Sequence, residues 1–256
     1  MPAPENRFKS ALARGDMLYG CWAGFADPYA TEILATAGFD WLLIDGEHAP
    51  NDLRSILAQL QVLEGGSTHP VVRLPMGEPW LIKQVLDAGA QTLLIPLVES
   101  AAEARALVQA MRYPPEGIRG SGAALARASR FSMLRDYTET ANTQVCLMVQ
   151  VETRKGLEAL DEILEVEGVD AVFIGPSDLG NDLGHVGNSD AAEVQEAIRK
   201  ALGRIRASSK AASIIATDHE TALKYRAWGA QALAVGIDVV MLAQSARQLA
   251  ARWRDG

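Results

Sequence analysis

The sequence contains little cysteine, no concentration of positive charge and no long apolar run. Only two of its 256 residues are cysteines, and both Cys21 and Cys146 stand inside strand-like apolar segments. This pattern argues against a disulfide framework or a cysteine-based zinc site, and it favours a reducing compartment. Acidic residues outnumber basic ones by 32 to 24, without blocks of like charge. A nucleic-acid or membrane-surface partner is therefore disfavoured, since both require clustered Lys and Arg.

No apolar segment approaches the roughly 20 residues of a membrane span. The N-terminal stretch MPAPENRFKSALARG contains an acid and lacks the apolar core of a signal peptide. We therefore expect a soluble, cytoplasmic protein whose partners are small molecules or other copies of itself.

Short buried-strand patterns alternate with amphipathic helix patterns along the whole chain. Asp27 followed by Pro28, for example, is typical of a helix start, and Gly38 of a helix end. Eight such units predict a single α/β domain over residues 1–256, folded as a (β/α)8 TIM barrel. The predicted strands are 18–25, 41–44, 69–74, 92–98, 145–152, 170–175, 213–217 and 232–236.

Three segments depart from this alternation or extend it. Residues 113–130 and 176–188 are glycine-rich and without clear periodicity, and long irregular loops in compact domains are usually functional. Arg119 lies between glycines in the first of them. The last helix, 238–254, carries an apolar stripe ending in Trp253, which needs a partner in its own barrel or in a neighbouring subunit. The sequence favours its own barrel.

The segment 40–50, DWLLIDGEHAP, places Asp45 and His48 at the carboxyl end of a buried strand. In parallel α/β folds this is the edge at which ligands bind. We expect Asp45 to hold one imidazole N–H of His48, so that the other ring nitrogen acts as a base. The alternative is that Asp45 caps the next helix beside an exposed histidine.

Further charged residues follow other predicted strands. Arg73 is a candidate bidentate donor to a carboxylate or enolate oxygen. Glu152 and Asp178 end adjacent strands and form a candidate oxygen-ligand site for Mg²⁺ or Mn²⁺. Alternatively, Glu152 pairs with Arg154 and Asp178 caps a turn. Taken together, metal, arginine and histidine suit enolate chemistry beside a carbonyl group.

Lysine is absent from the predicted strands. A Schiff-base aldolase needs a lysine inside the barrel. All six lysines fall on predicted helices or at their edges, at positions 9, 83, 155, 200, 210 and 224. This distribution favours a metal-dependent mechanism.

Several motifs together resemble the HpcH/HpaI aldolase family, specifically its class II 4-hydroxy-2-oxoheptane-1,7-dioate aldolases. The resemblance spans nearly the whole chain, through the motifs GFDWLLIDGEHAPN, PVVR, RYPPEGIRGSGAALARASR, VQVET, EGVDAVFIGPSDL and ALAVGID. It implies reversible cleavage of 4-hydroxy-2-oxo acids to an aldehyde and pyruvate, or a close analogue such as hydroxypyruvate. It also implies a divalent cation (Mg²⁺, Mn²⁺ or Co²⁺), aromatic catabolism and a homohexamer with an exchanged last helix.

The resemblance also implies a role for each matching position. His48 and Asp45 form the proton-transfer dyad, and Arg73 stabilises the enolate. Glu152 and Asp178 bind the metal. Substrate-binding positions are Gln150, the backbone of Ser177 and Asp178, and two residues in segments that depart from the family pattern, Trp22 in CWAGF and Ile215 in SIIATDH. Those departures leave the natural aldehyde open.

Two other functions compete with an aldolase. A lyase acting on a coenzyme A thioester needs a basic pocket for nucleotide phosphates, and no lysine-rich loop follows a predicted strand. A non-catalytic oxo-acid-binding barrel is expected to have lost one or more of the candidate catalytic residues, and all of them are present. Among the remaining histidines, His69 is expected to be structural and His219 to begin a helix. His185 is a weaker candidate for a residue at the mouth of the barrel.

Overall fold

Eight parallel strands close into a barrel in chain order, each hydrogen-bonded to the next and the last to the first. This computed structural model describes residues 1–254, so residues 255 and 256 of the predicted domain lie outside the described residues. The closed parallel barrel confirms the (β/α)8 prediction. Its strands are β1 (Leu18–Ala23), β2 (Trp41–Asp45), β3 (His69–Arg73), β4 (Thr92–Ile95), β5 (Cys146–Val151), β6 (Val169–Ile174), β7 (Ala211–Ile215) and β8 (Ala232–Ile237).

Twelve α-helices surround the strands in the described part of the chain. They are α1 (Arg7–Arg14), α2 (Pro28–Ala35), α3 (Leu53–Leu63), α4 (Pro79–Asp87), α5 (Ala101–Met111), α6 (Tyr137–Gln144), α7 (Arg154–Glu158), α8 (Leu160–Leu164), α9 (Pro176–Asp182), α10 (Ala192–Ala207), α11 (His219–Trp228) and α12 (Asp238–Arg254). None of them is long and apolar enough to cross a membrane.

The helix starts follow the expected capping chemistry with one correction. The carboxylate of Asp27 accepts hydrogen bonds from the backbone N–H groups of Tyr29 and Ala30, with Pro28 in the first turn of α2. Asn51 is also typical of a helix cap in the sequence, but the cap of α3 is the next residue, Asp52, because Asp52 and Ser55 form a reciprocal capping box.

The strands have apolar residues on both faces, as parallel strands in a barrel require. One face packs against the helices, and the other fills the barrel. Trp41, Leu43 and Val71 belong to the inner cluster. Because side chains alternate along a strand, Asp45 and Arg73 lie two residues beyond inner residues and continue the same face at the carboxyl ends. The fold therefore stacks charged side chains directly on an apolar barrel core.

Helix α1 closes the opposite, N-terminal face of the barrel. Phe8 is buried and stacks on the His69 ring, with 5.4 Å between ring centroids. The amide of Asn6 donates to Thr92 Oγ1 at 3.0 Å, and His69 Nε2 lies 2.9 Å from the same hydroxyl. This end of the barrel is thus closed by aromatic packing and hydrogen bonds.

The irregular segment 113–130 also lies at the N-terminal face. Arg119 is buried over the Tyr113 ring and pairs with Asp87, the last residue of α4, at 2.6 Å. The Arg127 guanidinium donates to the carbonyl oxygen of Ala88. Within its own barrel, this segment is therefore remote from the strand ends that carry Asp45 and Arg73.

Helix α12 does not bury its apolar stripe on its own barrel. Leu242 and Leu249 are each 58% exposed, and Trp253 is 82% exposed. Only Asp238, the first residue of α12, is buried in this helix. The sequence-based preference for packing on the same barrel is therefore wrong for this stripe.

Candidate active site

A buried ion pair joins the carboxyl ends of β2 and β3. Asp45 and Arg73 are register partners in the sheet. Arg73 donates from Nε and Nη2 to the two carboxylate oxygens of Asp45, at 2.9 and 2.8 Å. Burial alone would raise the pKa of Asp45, but the hydrogen bonds and charge of Arg73 outweigh it and hold the pKa below its usual value. Asp45 is thus a charged, fixed partner of Arg73.

The turn after Asp45 is shaped by the same carboxylate. Asp45 Oδ1 accepts the backbone N–H groups of Glu47 and His48, at 3.0 and 3.4 Å. The Gly46 N–H donates to the carbonyl oxygen of Arg73, and a Cβ at Gly46 would lie 2.6 Å from that oxygen. A side chain is therefore excluded at this position, and the DGEH motif curls tightly over the end of β3.

The position of His48 differs from the expected dyad. Its imidazole is 67% exposed, and its Nε2 lies 3.9 Å from Glu47 Oε2. Asp45 contacts the backbone of His48 and not its ring, while both carboxylate oxygens bind Arg73. The prediction that Asp45 orients the imidazole is therefore wrong for this geometry. His48 itself lies at the site, with its ring open to an incoming ligand.

Glu47 is a residue that the sequence reasoning missed. Its Oε2 lies 2.7 Å from Arg73 Nη1, so a second carboxylate faces the guanidinium. Burial raises the pKa of Glu47, against the lowering effect of Arg73. The signal was present within the DGEH motif, since an acid two residues after Asp45 can reach the same neighbouring strand.

Glu152 follows β5 and is buried, with 2% of its surface exposed. It accepts hydrogen bonds from the Gln150 side-chain amide and from the backbone N–H of Leu97. Burial raises the pKa of Glu152, and the negative charges of Asp178 and Glu47 add to this effect. No bond to Arg154 forms, so the structural alternative for Glu152 does not hold.

The loop after β6 is built to accommodate Glu152. A Cβ at Gly175 would collide with the Glu152 carboxylate. Ser177 and Asp178 follow in the first turn of α9, a helix that the sequence reading had assigned to loop, and both are exposed. The expected substrate-binding backbone and the second expected metal ligand therefore lie on the solvent side of the buried Glu152.

Within residues 1–254, no group of three or more His, Cys, Asp or Glu side chains is placed to hold a metal ion. The two expected carboxylates nevertheless fit a hard cation that completes its shell with water or substrate oxygens. Glu152 is buried beside other negative charges, and the neighbouring Gln150 Oε1 is a buried oxygen without a hydrogen-bond partner in the described chain. Oxygen donors and excess negative charge are what Mg²⁺ or Mn²⁺ require.

Trp22 and Ile215, the other two residues predicted to bind substrate, both pack against the inner barrel cluster. The Trp22 ring covers the Arg73 guanidinium, with 4.2 Å between Cζ and the ring centroid. Its indole Nε1 is buried and has no hydrogen-bond partner among residues 1–254. Trp22 therefore restricts Arg73 from one side.

The other histidines lie outside this cluster. His69 is at the N-terminal face, and His219 opens α11, as expected. His185 Nε2 lies 2.9 Å from a carboxylate oxygen of Glu193 on α10. His48 is the histidine that the structure brings to the Asp45–Arg73 pair.

Comparison with known proteins identifies the family. Residues 18–245 match the family model described as HpcH/HpaI aldolase/citrate lyase. A hydroxypyruvate/pyruvate aldolase of Roseovarius nubinhibens is 73% identical over 254 residues, covering 99% of both chains. A 4-hydroxy-2-oxo-heptane-1,7-dioate aldolase of Escherichia coli is 52% identical, covering 97% of this chain and 95% of that protein.

A solved structure agrees with these sequence matches. The crystal structure of an aldolase/citrate lyase family protein from Burkholderia cenocepacia superimposes with a TM-score of 0.94 at 40% identity. The match covers 97% of this chain and 99% of that one. Relatives named aldolases are carbon–carbon lyases. Membership of this family also supports a divalent metal cofactor, without specifying the ion. The chain therefore belongs to the HpcH/HpaI aldolase/citrate lyase family, as its motifs predicted, and it is an aldolase.

Proposed function

We propose that this aldolase cleaves 4-hydroxy-2-oxo acids reversibly to an aldehyde and pyruvate or hydroxypyruvate, through an enolate. The observation that carries this proposal is the buried Asp45–Arg73 pair beside Glu47 and Glu152 at the carboxyl ends of the strands. The names of the similar proteins, hydroxypyruvate/pyruvate aldolase among them, support the donor class.

Glu152 and Asp178 would hold the cation, proposed to be Mg²⁺, Mn²⁺ or Co²⁺. When bound, such a cation supplies Lewis acidity toward the 2-oxo group of the substrate. Gln150, with its free buried amide oxygen, lies next to Glu152 and would contact the oxo acid. The backbone of Ser177 and Asp178, in the first turn of α9, would bind the substrate carboxylate.

His48 and Arg73 divide the remaining chemistry. In cleavage, His48 accepts the proton of the 4-hydroxyl group as the C3–C4 bond breaks, and the bonding electrons pass into the enolate. In the reverse direction, a base must remove a C3 proton from the donor, and His48 is that base. Arg73 has no acceptor and remains charged, so its part is to stabilise the enolate oxygen.

The test is an assay of aldol formation from pyruvate and from hydroxypyruvate with a panel of aldehydes, followed by mass spectrometry of the products. We expect carbon–carbon bond formation with both donors in the presence of added divalent cation. The control variant Glu196→Gln changes an exposed acid on α10 and should behave as the wild type. Absence of product with every donor and aldehyde pair would contradict the proposed function.

We also propose a homohexamer in which α12 exchanges between neighbours. The exposed stripe of α12, including Leu242, Leu249 and Trp253, supports this because so much apolar surface calls for a partner. Truncation before Asp238 should lower the mass measured by sedimentation. A wild-type chain that sediments as a monomer at micromolar concentration would refute it.

The two free and buried cysteines, Cys21 and Cys146, support a reducing, cytoplasmic location. We propose that location together with a role in the catabolism of aromatic compounds. The catabolic role is tested by growth of a deletion strain on aromatic carbon sources. Normal growth on all of them would contradict this role.

A further inference from the structure

Arg73 is surrounded by more negative charge than it can neutralise. Asp45 binds Nε and Nη2, and Glu47 Oε2 lies 2.7 Å from Nη1. Each nitrogen of the guanidinium therefore faces a carboxylate, while the Arg73 side chain is only 2% exposed. An anionic substrate oxygen that approaches Nη1 of Arg73 therefore meets the carboxylate of Glu47.

The two acids are not held equally. Asp45 makes two side-chain hydrogen bonds with Arg73 and accepts two backbone N–H groups. Glu47 Oε2 is close to Nη1, yet it accepts no well-aligned hydrogen bond within the described chain. The contact of Glu47 with Arg73 is therefore mainly one of charge, and it is the weaker of the two.

Charge around Glu47 points the same way. Burial raises the pKa of Glu47 against the lowering effects of Arg73 and His48, and the nearby charges of Asp45 and Asp178 raise it further. The other nearby polar group is the imidazole of His48, with Nε2 3.9 Å from Glu47 Oε2, on the exposed side of the turn. A carboxylate that left Arg73 would thus have an open direction and a polar neighbour.

We propose that Glu47 occupies the Nη1 position of Arg73 in the empty site and yields it to the anionic oxygen of the 2-oxo acid donor. Glu47 is then a specificity-determining residue, because only a donor that replaces its carboxylate at Arg73 binds well. Asp45 keeps Arg73 in place throughout. This inference rests on the proposed aldolase function and adds to it an internal competitor for the donor.

Oxalate is a suitable probe because it is a small, planar dianion similar in shape to the enolate of pyruvate. We would measure oxalate binding by calorimetry to Mn²⁺-loaded wild type and to Glu47→Gln, which keeps the size of the side chain and removes its charge. Glu196→Gln is the matched control. We expect about tenfold tighter binding to Glu47→Gln than to the other two proteins, since an amide competes less for a guanidinium.

Equal or weaker binding of oxalate to Glu47→Gln would overturn the proposal, because it would make Glu47 a support for Arg73 and not its competitor. A second measurement does not depend on the variant. In a crystal structure of the wild type with Mn²⁺ and oxalate, we expect an oxalate oxygen at Arg73 Nη1 and Glu47 moved away from it. Retention of the 2.7 Å contact found here would overturn the proposal.

Failure of this inference can be distinguished from failure of the proposed function. If the wild type forms aldol products but Glu47→Gln binds oxalate no more tightly, only the inference fails. If the wild type neither forms aldol products nor binds oxalate, the proposed function fails and the inference fails with it.

Discussion

The two ends of the barrel both contain buried polar groups, but they treat them differently. At the N-terminal face, Asn6, Thr92 and His69 are linked by neutral hydrogen bonds. At the carboxyl face, Arg73 is the buried cation among the acids Asp45, Glu47 and Glu152. The buried cation at the N-terminal face, Arg119, is paired with Asp87, whereas the carboxyl face carries an excess of negative charge.

This difference indicates which end of the barrel serves stability and which end serves ligand binding. A closed neutral network gains nothing from a ligand, whereas buried carboxylates with raised pKa are stabilised by an added cation. Unpartnered buried polar atoms occur at both faces of residues 1–254, such as Gln150 Oε1 at the carboxyl face and Arg119 Nε at the N-terminal face, so the excess of carboxylates is what separates the two. We therefore expect changes at the carboxyl face to affect activity and changes at the N-terminal face to affect stability.

The largest effect is expected from Glu152→Gln, which should remove turnover. The variant preserves shape while deleting the buried negative charge proposed to hold the cation. Thermal unfolding should show no loss of stability, because burial already disfavours the charged form of Glu152. The exposed Glu158→Gln on α7 is the matched control. Near-normal turnover in Glu152→Gln would contradict the role given to this face.

His48→Ala should lower the rate by about 10²- to 10⁴-fold, the usual cost of a lost general base. The rate profile should also lose its ionisation near neutrality, where imidazoles ordinarily titrate. Stability should be unchanged because the side chain is 67% exposed. Steady-state rates across pH, with His185→Ala as control, check this. A His48→Ala profile with the wild-type ionisation would exclude His48 as the base.

Arg73→Lys should lower the rate by about 10²- to 10³-fold at every pH, as expected for a lost donor to a developing oxyanion. Lysine keeps the charge but cannot bridge Asp45 and Glu47 with a planar fork. The ionisation near neutrality should remain in the profile. Decarboxylation of oxaloacetate, which also passes through the pyruvate enolate, should fall by a similar factor. An unchanged decarboxylation rate would argue against enolate stabilisation by Arg73.

Asn6→Ala tests the opposite face and should leave the rate unchanged. The substitution removes a cap of α1 and the bonds to Thr92 Oγ1 and the Gln144 carbonyl oxygen. We expect a loss of about 1–3 kcal/mol in the free energy of unfolding, measured by urea denaturation. Loss of turnover in the folded variant would contradict the expectation that changes at the N-terminal face affect stability and not activity.

The smallest effect concerns pH and His69. Burial lowers the pKa of His69 to about 4 from 6.5, so the unfolded chain binds this proton more readily than the folded one. This proton therefore does not affect the free energy of unfolding above about pH 6.5, and it lowers that free energy as the pH falls from about 6.5 toward 4. In His69→Gln the free energy of unfolding should depend less steeply on pH in this range. An identical slope in the two proteins would contradict the burial effect.

The sequence was sufficient for the barrel because strand and helix patterns are local. All eight strands were located, although β7 begins two residues before its expected start and β4 ends three residues before its expected end. Helices α7 and α8 were missed because each has only five residues, too few to show a period. Helix α6 was missed for another reason, since Tyr137–Gln144 is mostly polar.

The positions of the candidate site residues in the fold were easier to predict than their pairing. Asp45, Arg73, Gln150 and Glu152 all lie at strand ends, which follows from their position after apolar runs. That Asp45 binds Arg73 and not the His48 ring depends on the register between β2 and β3, and register is not encoded in either strand alone. The exposure of the α12 stripe likewise depends on the surface that the barrel offers it.

The most direct test of the excess negative charge at the carboxyl face is a calorimetric titration of Mn²⁺ into metal-free protein. The wild type and Glu158→Gln should each bind about one ion per chain, and Glu152→Gln should bind none at the same concentrations. If Glu152→Gln bound Mn²⁺ as the wild type does, the cation would lie elsewhere, and the carboxyl face would not be the metal-dependent site proposed for this aldolase.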